Sequence, residues 1–555
     1  MRLTHQMTKL FTFIAGLLCF SGNAFSQATI GLLQTTSAAT ESYMLLAPNP
    51  SLNTYLVDHC GREVHRWTSS FQPGNAVYLT PDGRLLRTCR VTNPNFPAGG
   101  SGGRVEILDW DSNILWEYDL SDANQQQHHD AILLPNGNVL ALLWYRYSAN
   151  DAIAAGRNPA SVGNFLWSEK IIEIQPSGTN GGTVVWEWDL WDHIIQDFDS
   201  TRNNFGIVPD HPELMNLNFY DPTPGPVGFA DWLHANAIAY NEVLDQIVIS
   251  AKFTNEFYII DHSTTTTEAA AHSGGRWGKG GDFLYRWGNP ASYGRGTAAD
   301  QTLFGQHNVH WIAQGCPDEG KLILFNNGHD RPTGAYSSVE IISPPVDTSG
   351  AYLVPSNQPF GPQIADWIWT ANPPTSFYSQ LISGAEQLPN GNIVACAGQS
   401  GRILELNPSG QPVWEYINPV VATGPLSQGS TPANNAIFRA PKYLPSYPGL
   451  AGRALNPGNP IELNPLTLPA SCLSTSLEFE RPRKLSVFPN PAQHVLQMKT
   501  MGDESGTWEI VDMTGRNLLR GEFLHGNATF NISHLPAGIY GLKATGFGTV
   551  LWVKP

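Results

Sequence analysis

The chain has 555 residues, of which only 14% are charged, while 53 are glycine, 42 are proline and 17 are tryptophan. Its formal net charge of −16 argues against a nucleic-acid-binding protein, because phosphate backbones are bound by basic surfaces. Few charges together with many turn formers and aromatic residues are typical of an all-β chain with many short strands.

The first 26 residues predict an export signal. Arg2 and Lys9 precede an apolar run at 10–20, and small residues follow at 24–26. The apolar run is too short to span a bilayer, and no later run is long enough. We therefore expect a soluble, exported protein whose mature chain starts near Gln27, with no transmembrane segment.

Two kinds of segment alternate between residues 40 and 440. Hairpins whose second strand ends in an aromatic residue recur, most clearly around Trp116, Trp186 and Trp414. Between them lie five segments that open with a polar residue, continue through mainly apolar positions and end in a turn. These segments begin at Asn75, His129, His234, His307 and Ser383. The recurrence predicts a six-bladed β-propeller in which the polar residues converge near one axis.

The remaining segments predict loops, a linker and a second domain. Residues 189–231 and 264–281 are rich in Gly, Pro, Asn and Thr, which predicts long loops at the channel mouth. Residues 441–483 lose the strand pattern and predict a linker. Alternating apolar residues return at 484–555 and predict a small C-terminal β-sandwich.

Cysteines and carboxylates indicate no metal centre. Five cysteines remain after residue 26, an odd number, and none of them forms a CxxC pair. Cys60 and Cys89 are the one pair that we consider for a disulfide. Carboxylate-rich turns such as Asp109-Trp-Asp111 could hold calcium, but solvated turns are the preferred interpretation. No metal and no cofactor is therefore predicted.

The C-terminal module resembles the type A sorting domain of the type IX secretion system. The resemblance is carried by Val487-Phe-Pro-Asn-Pro, Asp512-Met-Thr-Gly and Leu535-Pro-Ala-Gly-Ile-Tyr. It implies that residues 484–555 interact with that secretion machinery in a Bacteroidota-like organism. The protein would then be secreted or attached to the cell surface.

The propeller region resembles the arylsulfate sulfotransferase family, also called arylsulfotransferases. The matching motifs are Asp231-Trp-Leu-His-Ala-Asn, Gly305-Gln-His and Phe325-Asn-Asn-Gly-His-Asp-Arg, with further similarity at 383–392 and 401–406. The resemblance implies transfer of a sulfuryl group from a phenolic sulfate to a phenolic acceptor without PAPS.

The resemblance assigns His234, His307 and Arg331 to catalysis. Histidines on adjacent inner strands could supply hydrogen-bond donors and a nucleophile, and the guanidinium of Arg331 offers a charged fork for two sulfuryl oxygens. The candidate substrate-binding residues are His129, Asn236, Asn327 and Ser383.

One position departs from the family pattern. The family carries its transiently sulfated histidine on a blade that opens here with Ser383. His129, His234 or His307 could replace it as the nucleophile. Two other functions stay open, a non-catalytic propeller that binds an anionic or aromatic ligand at the cell surface, and a sulfatase-like hydrolase.

Overall fold

A computed structural model describes residues 28–219, 230–354, 356–473, 485–500, 505–512, 516–544 and 550–555. The predicted signal peptide, 1–26, lies outside these ranges. The chain divides into two compact units, Met1–Thr467 and Leu468–Pro555. Among the helices in the described ranges, none has the length and apolar character needed to cross a lipid bilayer.

Antiparallel sheets of four or five strands build the first unit, and we number them along the chain. The strands of each sheet are given in hydrogen-bonded order, starting with the inner strand. Sheet 1 contains Lys442–Tyr443, Tyr43–Leu46, Asn53–Asp58 and Glu63–Thr68, and sheet 2 contains Pro73–Leu79, Leu85–Arg90, Gly103–Leu108 and Ile114–Asp119. Sheet 3 contains Gln125–Leu133, Val139–Ser148, Phe165–Ser177 and Gly181–Asp189, and sheet 4 contains Ala235–Asn241, Gln246–Ala251, Glu256–Asp261 and Tyr285–Trp287. Sheet 5 contains His307–Trp311, Leu322–Asn326, Ser338–Ile342 and Trp367–Thr370, and sheet 6 contains Gly384–Gln387, Ile393–Ala397, Arg402–Leu406, Pro412–Ile417 and Gly31–Thr35.

Short elements connect these sheets. Ile194–Ile195 pairs with Met215–Asn216, and Val420–Val421 pairs with Gly424–Pro425. The α-helices are Ala149–Ala154, Thr266–Ala269 and, in the second unit, Ala470–Leu473. Single 3₁₀ turns lie at Pro159–Ser161, Leu190–His193, Val208–Asp210, Pro290–Tyr293, Ala298–Asp300, Pro374–Ser376, Gly398–Ser400 and Pro448–Leu450.

Apolar side chains pack each sheet against the next. One buried cluster lies between each pair of successive sheets, and a further cluster joins sheet 6 to sheet 1. Trp116, Trp186 and Trp414 belong to three of these clusters, as predicted from their places at strand ends. The predicted all-β, propeller-like class is confirmed, whereas the blade count of six stays a prediction.

The two ends of the first unit complete its first and last sheets. Lys442–Tyr443 is the first strand of sheet 1, and Gly31–Thr35 is the outermost strand of sheet 6. The segment predicted as a linker, 441–483, therefore contains the strand Lys442–Tyr443, and the compact unit extends to Thr467. A two-residue strand has no visible alternation, so only its pairing partner identifies it.

Two small sheets form the second unit. One contains Leu485–Phe488, Val495–Thr500 and Asn527–Asn531, and the other contains Asn517–Phe523, Gly506–Asp512, Gly538–Ala544 and Val550–Lys554. Their inward side chains form one apolar cluster that includes Leu496, Ile510 and Trp552. The predicted small C-terminal β-domain is thus present; the motif residues 513–515 lie outside the described ranges.

The suggested disulfide between Cys60 and Cys89 is wrong. Cys60 is disulfide-bonded, whereas Cys89 is a free, buried thiol. Its Sγ lies 3.5 Å from the guanidinium of Arg87, and burial raises the pKa of the Cys89 thiol. Chain spacing alone cannot show which thiols meet in space.

Candidate active site

Four of the five polar residues that open the repeats have an unusual backbone conformation: Asn75, His129, His234 and Ser383 have φ angles of 122°, 50°, 55° and 98°. In the inner strand of sheet 5, the positive φ of 58° belongs to Asn308 and not to His307. The register of the inner strands of sheets 2 to 5 is interrupted near these positions. A β-bulge changes the direction in which a side chain points. A non-glycine residue with a positive φ costs roughly 1–3 kcal/mol, and residues strained in this way are concentrated at functional sites.

Three of the predicted histidines come together near the inner strands. The rings of His129 and His234 are 4.8 Å apart between centroids and nearly perpendicular. His307 opens the inner strand of sheet 5, where the amide of Asn236 donates to the carbonyl oxygen of the preceding residue, Gln306, at 2.7 Å. Burial, and then the charges of neighbouring groups that include His234, lowers the pKa of both His129 and His307. All three side chains are buried. Two of the residues assigned to catalysis, His234 and His307, thus lie on or beside the inner strands of successive sheets, and His234 contacts His129, a candidate substrate-binding residue.

Hydrogen bonds set the tautomer of His129. Nε2 of His128 lies 2.9 Å from a carboxylate oxygen of Glu169, which can only accept, so this nitrogen carries the proton. In a neutral His128 ring, Nδ1 is then the acceptor for Nδ1–H of His129, 2.9 Å away. This leaves a lone pair on Nε2 of His129. Burial, and then the neighbouring His234, lowers the pKa of His129 well below its usual value.

His234 is paired with a carboxylate. Its Nδ1 lies 2.6 Å from Oδ2 of Asp231, three residues earlier, and both side chains are buried. The carboxylate can only accept, so Nδ1 carries a proton and the Asp231 contact fixes the orientation of the ring. Nε2 is the ring nitrogen left on the side away from Asp231.

His307 presents an unprotonated nitrogen. Its Nδ1 lies 2.8 Å from Oδ1 of Asn327 and 3.0 Å from the carbonyl oxygen of Gly305. The Asn327 amide donates to the carbonyl oxygens of Ser379 and Ile382, each at 2.8 Å, which fixes the orientation of its oxygen. Since both partners of Nδ1 accept, Nδ1 carries the proton and Nε2 carries the lone pair.

Lys252 is a site residue that sequence reasoning missed. It follows the second strand of sheet 4, and its backbone N–H donates to the carbonyl oxygen of His234 at 3.2 Å. Burial lowers the pKa of Lys252, and its charge contributes to lowering the pKa of both His307 and His129. The register of the hairpin could have identified Lys252 from the sequence, because the pairing of Ala235 with Ala251 places Lys252 opposite His234.

Among the described residues, the contacts of Arg331 are with residues other than the three histidines. Its guanidinium lies 2.6 Å from Oγ of Ser338 and 3.5 Å from Oε1 of Glu340, and it stacks on Phe304 and Tyr336. These five residues line a cavity of about 230 Å³. The described residues around this cavity do not include His129, His234 or His307.

Asn236 and Ser383 make structural contacts beside the cluster. The buried amide of Asn236 donates to the carbonyl oxygen of Gln306 at 2.7 Å, which positions the backbone before His307. Oγ of Ser383 donates to the carbonyl oxygen of Leu381 at 3.2 Å and accepts from N–H of Gly398 at 3.1 Å. The hydroxyl of Ser383 is therefore occupied by loop anchoring.

Arg439 is a second, partly buried cation near the inner strands that the sequence analysis missed. It precedes the first strand of sheet 1, pairs with Asp130 at 2.9 Å and also contacts the hydroxyl of Tyr78. Tyr78 and Arg439, together with His310 and Glu386, line a cavity of about 320 Å³. Burial lowers the pKa of His310 to about 4 and raises the pKa of Glu386 to about 7.

The sheets and the buried histidines define a propeller-like protein with a polar site at its inner strands. A family model described as arylsulfotransferase (ASST) matches residues 33–417, and the chain belongs to this family. A second model, described as a secretion system C-terminal sorting domain, matches residues 486–553. That domain indicates interaction with the type IX secretion machinery and export to the cell surface or beyond.

Several solved structures are similar to the chain at low identity. A protein of unknown function from Bacteroides caccae is 11% identical with a TM-score of 0.38, covering 73% of this chain and 99% of that chain. A putative 6-phosphogluconolactonase from Bacteroides fragilis is 9% identical with a TM-score of 0.35, covering 74% and 99%. A periplasmic gluconolactonase from Pseudomonas aeruginosa is 11% identical with a TM-score of 0.33, covering 68% and 97%. No curated protein matches the chain.

Proposed function

We propose that this protein transfers a sulfuryl group from a phenolic sulfate to a phenolic acceptor, with His307 as the residue that carries the group. The hydrogen bonds of His307 are the observation that carries the proposal, because they leave Nε2 unprotonated beside two other histidines and Lys252. Burial, and then the charge of Lys252, lowers the pKa of His307 well below its usual value, so the nucleophile stays neutral at neutral pH. Membership of the arylsulfotransferase family supports this reaction.

The first half of the reaction loads the enzyme. Nε2 of His307 attacks the sulfur, the bond between sulfur and the phenolic oxygen breaks, and its electron pair leaves with the phenolate. His234, protonated at Nε2 and held by Asp231, donates its proton to the leaving oxygen. Lys252 stabilises the negative charge on the sulfuryl oxygens.

The second half returns the enzyme to its starting state. The oxygen of an acceptor phenol attacks the sulfur, the bond to Nε2 breaks, and its electron pair returns to His307. His234 takes the proton of the acceptor, so that it is again the acid for the next donor. Only the two substrates are consumed, because His307 and His234 both return to their starting states.

The serine at position 383 does not remove the nucleophile from this scheme. Its hydroxyl is engaged with Leu381 and Gly398, whereas Nε2 of His307 is held with its lone pair available. His129 also carries a lone pair on Nε2, but this nitrogen packs against Gly100, where a Cβ atom would lie 2.2 Å from it. We therefore assign the acceptor role among the three candidate histidines to His307.

The proposal is tested with the mature protein and a chromogenic aryl sulfate, with and without phenol. We expect phenol to increase chromophore release, and mass spectrometry of the donor-loaded protein to locate one SO₃ group on the His307 peptide. His307→Ala should lose both signals. His310→Ala is the matched control, because His310 is in the same strand but lines the 320 Å³ cavity.

Other outcomes would assign another function. Release that phenol does not increase would indicate a sulfatase-like hydrolase. A rise in melting temperature with aryl sulfate, but without turnover or a sulfated histidine, would indicate a ligand-binding propeller. Sulfation of His129 or His234 with His307 unmodified would overturn the assignment of the nucleophile.

A further inference from the structure

A second cluster of metal-ligating side chains lies outside the site described above. His193 ends the 3₁₀ turn Leu190–His193, just after the last strand of sheet 3. His272 lies in the long loop that follows the helix Thr266–Ala269, and Asp282 lies just after that loop. We propose that His193, His272 and Asp282 bind a divalent transition-metal ion, with Zn²⁺ as the best-suited ion.

The three ligand atoms face one another at short distances. Oδ1 of Asp282 lies 2.7 Å from Nδ1 of His193 and 2.8 Å from Nδ1 of His272. One ligand atom from each residue lies within 4.8 Å of the other two. The side chain of His193 is fully buried, that of Asp282 is 7% exposed and that of His272 is 61% exposed. The cluster thus joins two segments that the sequence predicted as separate loops.

The hydrogen bond on the far side of His193 suits a metal ligand. Nε2 of His193 lies 2.7 Å from the carbonyl oxygen of Ala269, which can only accept, so this nitrogen carries a proton. Nδ1, which faces Asp282, is therefore the ring nitrogen that can bind an ion. A ligating histidine commonly donates its other N–H to a backbone carbonyl, as His193 does here.

Packing holds the His193 ring in this orientation. Trp188 stacks nearly parallel to it at 5.8 Å between centroids, and its indole N–H donates to the carbonyl oxygen of Gly281 at 2.8 Å. A Cβ atom at Gly281 would lie 2.5 Å from Nε2 of His193 and 2.0 Å from the carbonyl oxygen of Ala269. The backbone before Asp282 therefore passes directly against the ring, which positions both ligands before any ion enters.

The donor set favours zinc over calcium. Two imidazole nitrogens and one carboxylate suit Zn²⁺ and related transition metals, whereas Ca²⁺ takes oxygen ligands. Tetrahedral ligands at about 2.1 Å from Zn²⁺ are roughly 3.4 Å apart, so the carboxylate has to withdraw by about 0.6–0.7 Å. His272 and Asp282 also line an open cavity of about 1130 Å³, which leaves room for water or a further ligand on the ion.

Zinc binding is measured on the mature, full-length protein without a polyhistidine tag. After chelation and dialysis, we expect calorimetric titration and elemental analysis to give one Zn²⁺ per chain, together with a higher melting temperature. Co²⁺ should bind in competition with Zn²⁺ and give a visible absorption band, and Ca²⁺ should not bind.

Two exposed histidines of the same cavity provide the variant and its control. His272→Ala should weaken Zn²⁺ binding by about 100-fold or more and abolish the thermal shift. His211→Ala removes a histidine that lies 3.0 Å from Glu213 in that cavity, and it should bind Zn²⁺ as the wild type does. Absence of stoichiometric binding, or equal losses in both variants, would overturn the proposal. Sulfuryl transfer by His307 is measured separately and is unaffected by either result.

Discussion

Replacing Lys252 by methionine tests the proposed anion site directly. Methionine has a similar length and removes only the charge. The structure predicts two effects, because Lys252 stabilises the sulfuryl oxygens and also lowers the pKa of His307. Turnover should fall, and the pH below which the nucleophile becomes protonated should rise towards the ordinary histidine value.

The magnitude follows from the electrostatics of a partly buried site. A unit charge about 4 Å from another contributes about 4 kcal/mol at an effective dielectric constant of about 20. Only the part that strengthens in the transition state affects kcat, and loss of one such donor typically costs about 2.7–4 kcal/mol. We therefore expect kcat of Lys252→Met to fall by about 10²–10³-fold.

The assay is acceptor-dependent release from a chromogenic aryl sulfate, measured between pH 5 and 10. Burial lowers the pKa of Lys252 itself, so the wild type should lose activity on the alkaline side below the ordinary lysine value. Lys252→Arg, which stays charged, should retain most of the activity and extend it to higher pH. Equal activities of Lys252→Met and Lys252→Arg at neutral pH would refute the reasoning.

Three further predictions follow from the surroundings of the site. Gly100 has a φ of +86°, and a Cβ there would lie 1.9 Å from Cε1 of His129, so Gly100→Ala should abolish turnover and reduce the melting temperature. His262 donates to Glu173 and Asp245, which raise its pKa against the effect of burial, and its hydrogen bond lowers the pKa of Glu173 to about 2. The stabilisation from His262 is complete below the pKa of about 6.5 that it has in the unfolded chain, and it is lost as the pH rises through its raised pKa in the folded chain. Thermal denaturation should therefore show that His262→Asn lowers the free energy of unfolding by about 1 kcal/mol at pH 5.5 and by less at pH 9. Arg331→Lys should change kcat by less than about threefold, because Arg331 contacts Ser338 and Glu340. A loss of kcat as large as that of Lys252→Met would show instead that Arg331 reaches the substrate.

Local sequence was sufficient to predict the strands and the histidines that they carry. Apolar alternation with a period of two identifies a strand without its partners, and a turn residue marks where it ends. His129, His234 and His307 open three of these repeats; the rings of His129 and His234 lie 4.8 Å apart, and His307 is buried in the inner strand of sheet 5. A repeated offset is informative because equivalent positions of repeated units meet at the same place in the fold.

The partners of the remaining residues depended on contacts between distant parts of the chain. Arg331 carries a motif of the family but binds Ser338 and Glu340, while Lys252, outside every quoted motif, supplies the charge beside His307. A side chain's partner is set by packing and register, and neither leaves a periodic trace in the sequence. The sequence alone thus determined the all-β class, the sorting domain and the three histidines, through local periodicity and motifs. Tertiary structure decided which cation joins them and which ring nitrogen is left unprotonated, because both depend on hydrogen bonds from other strands.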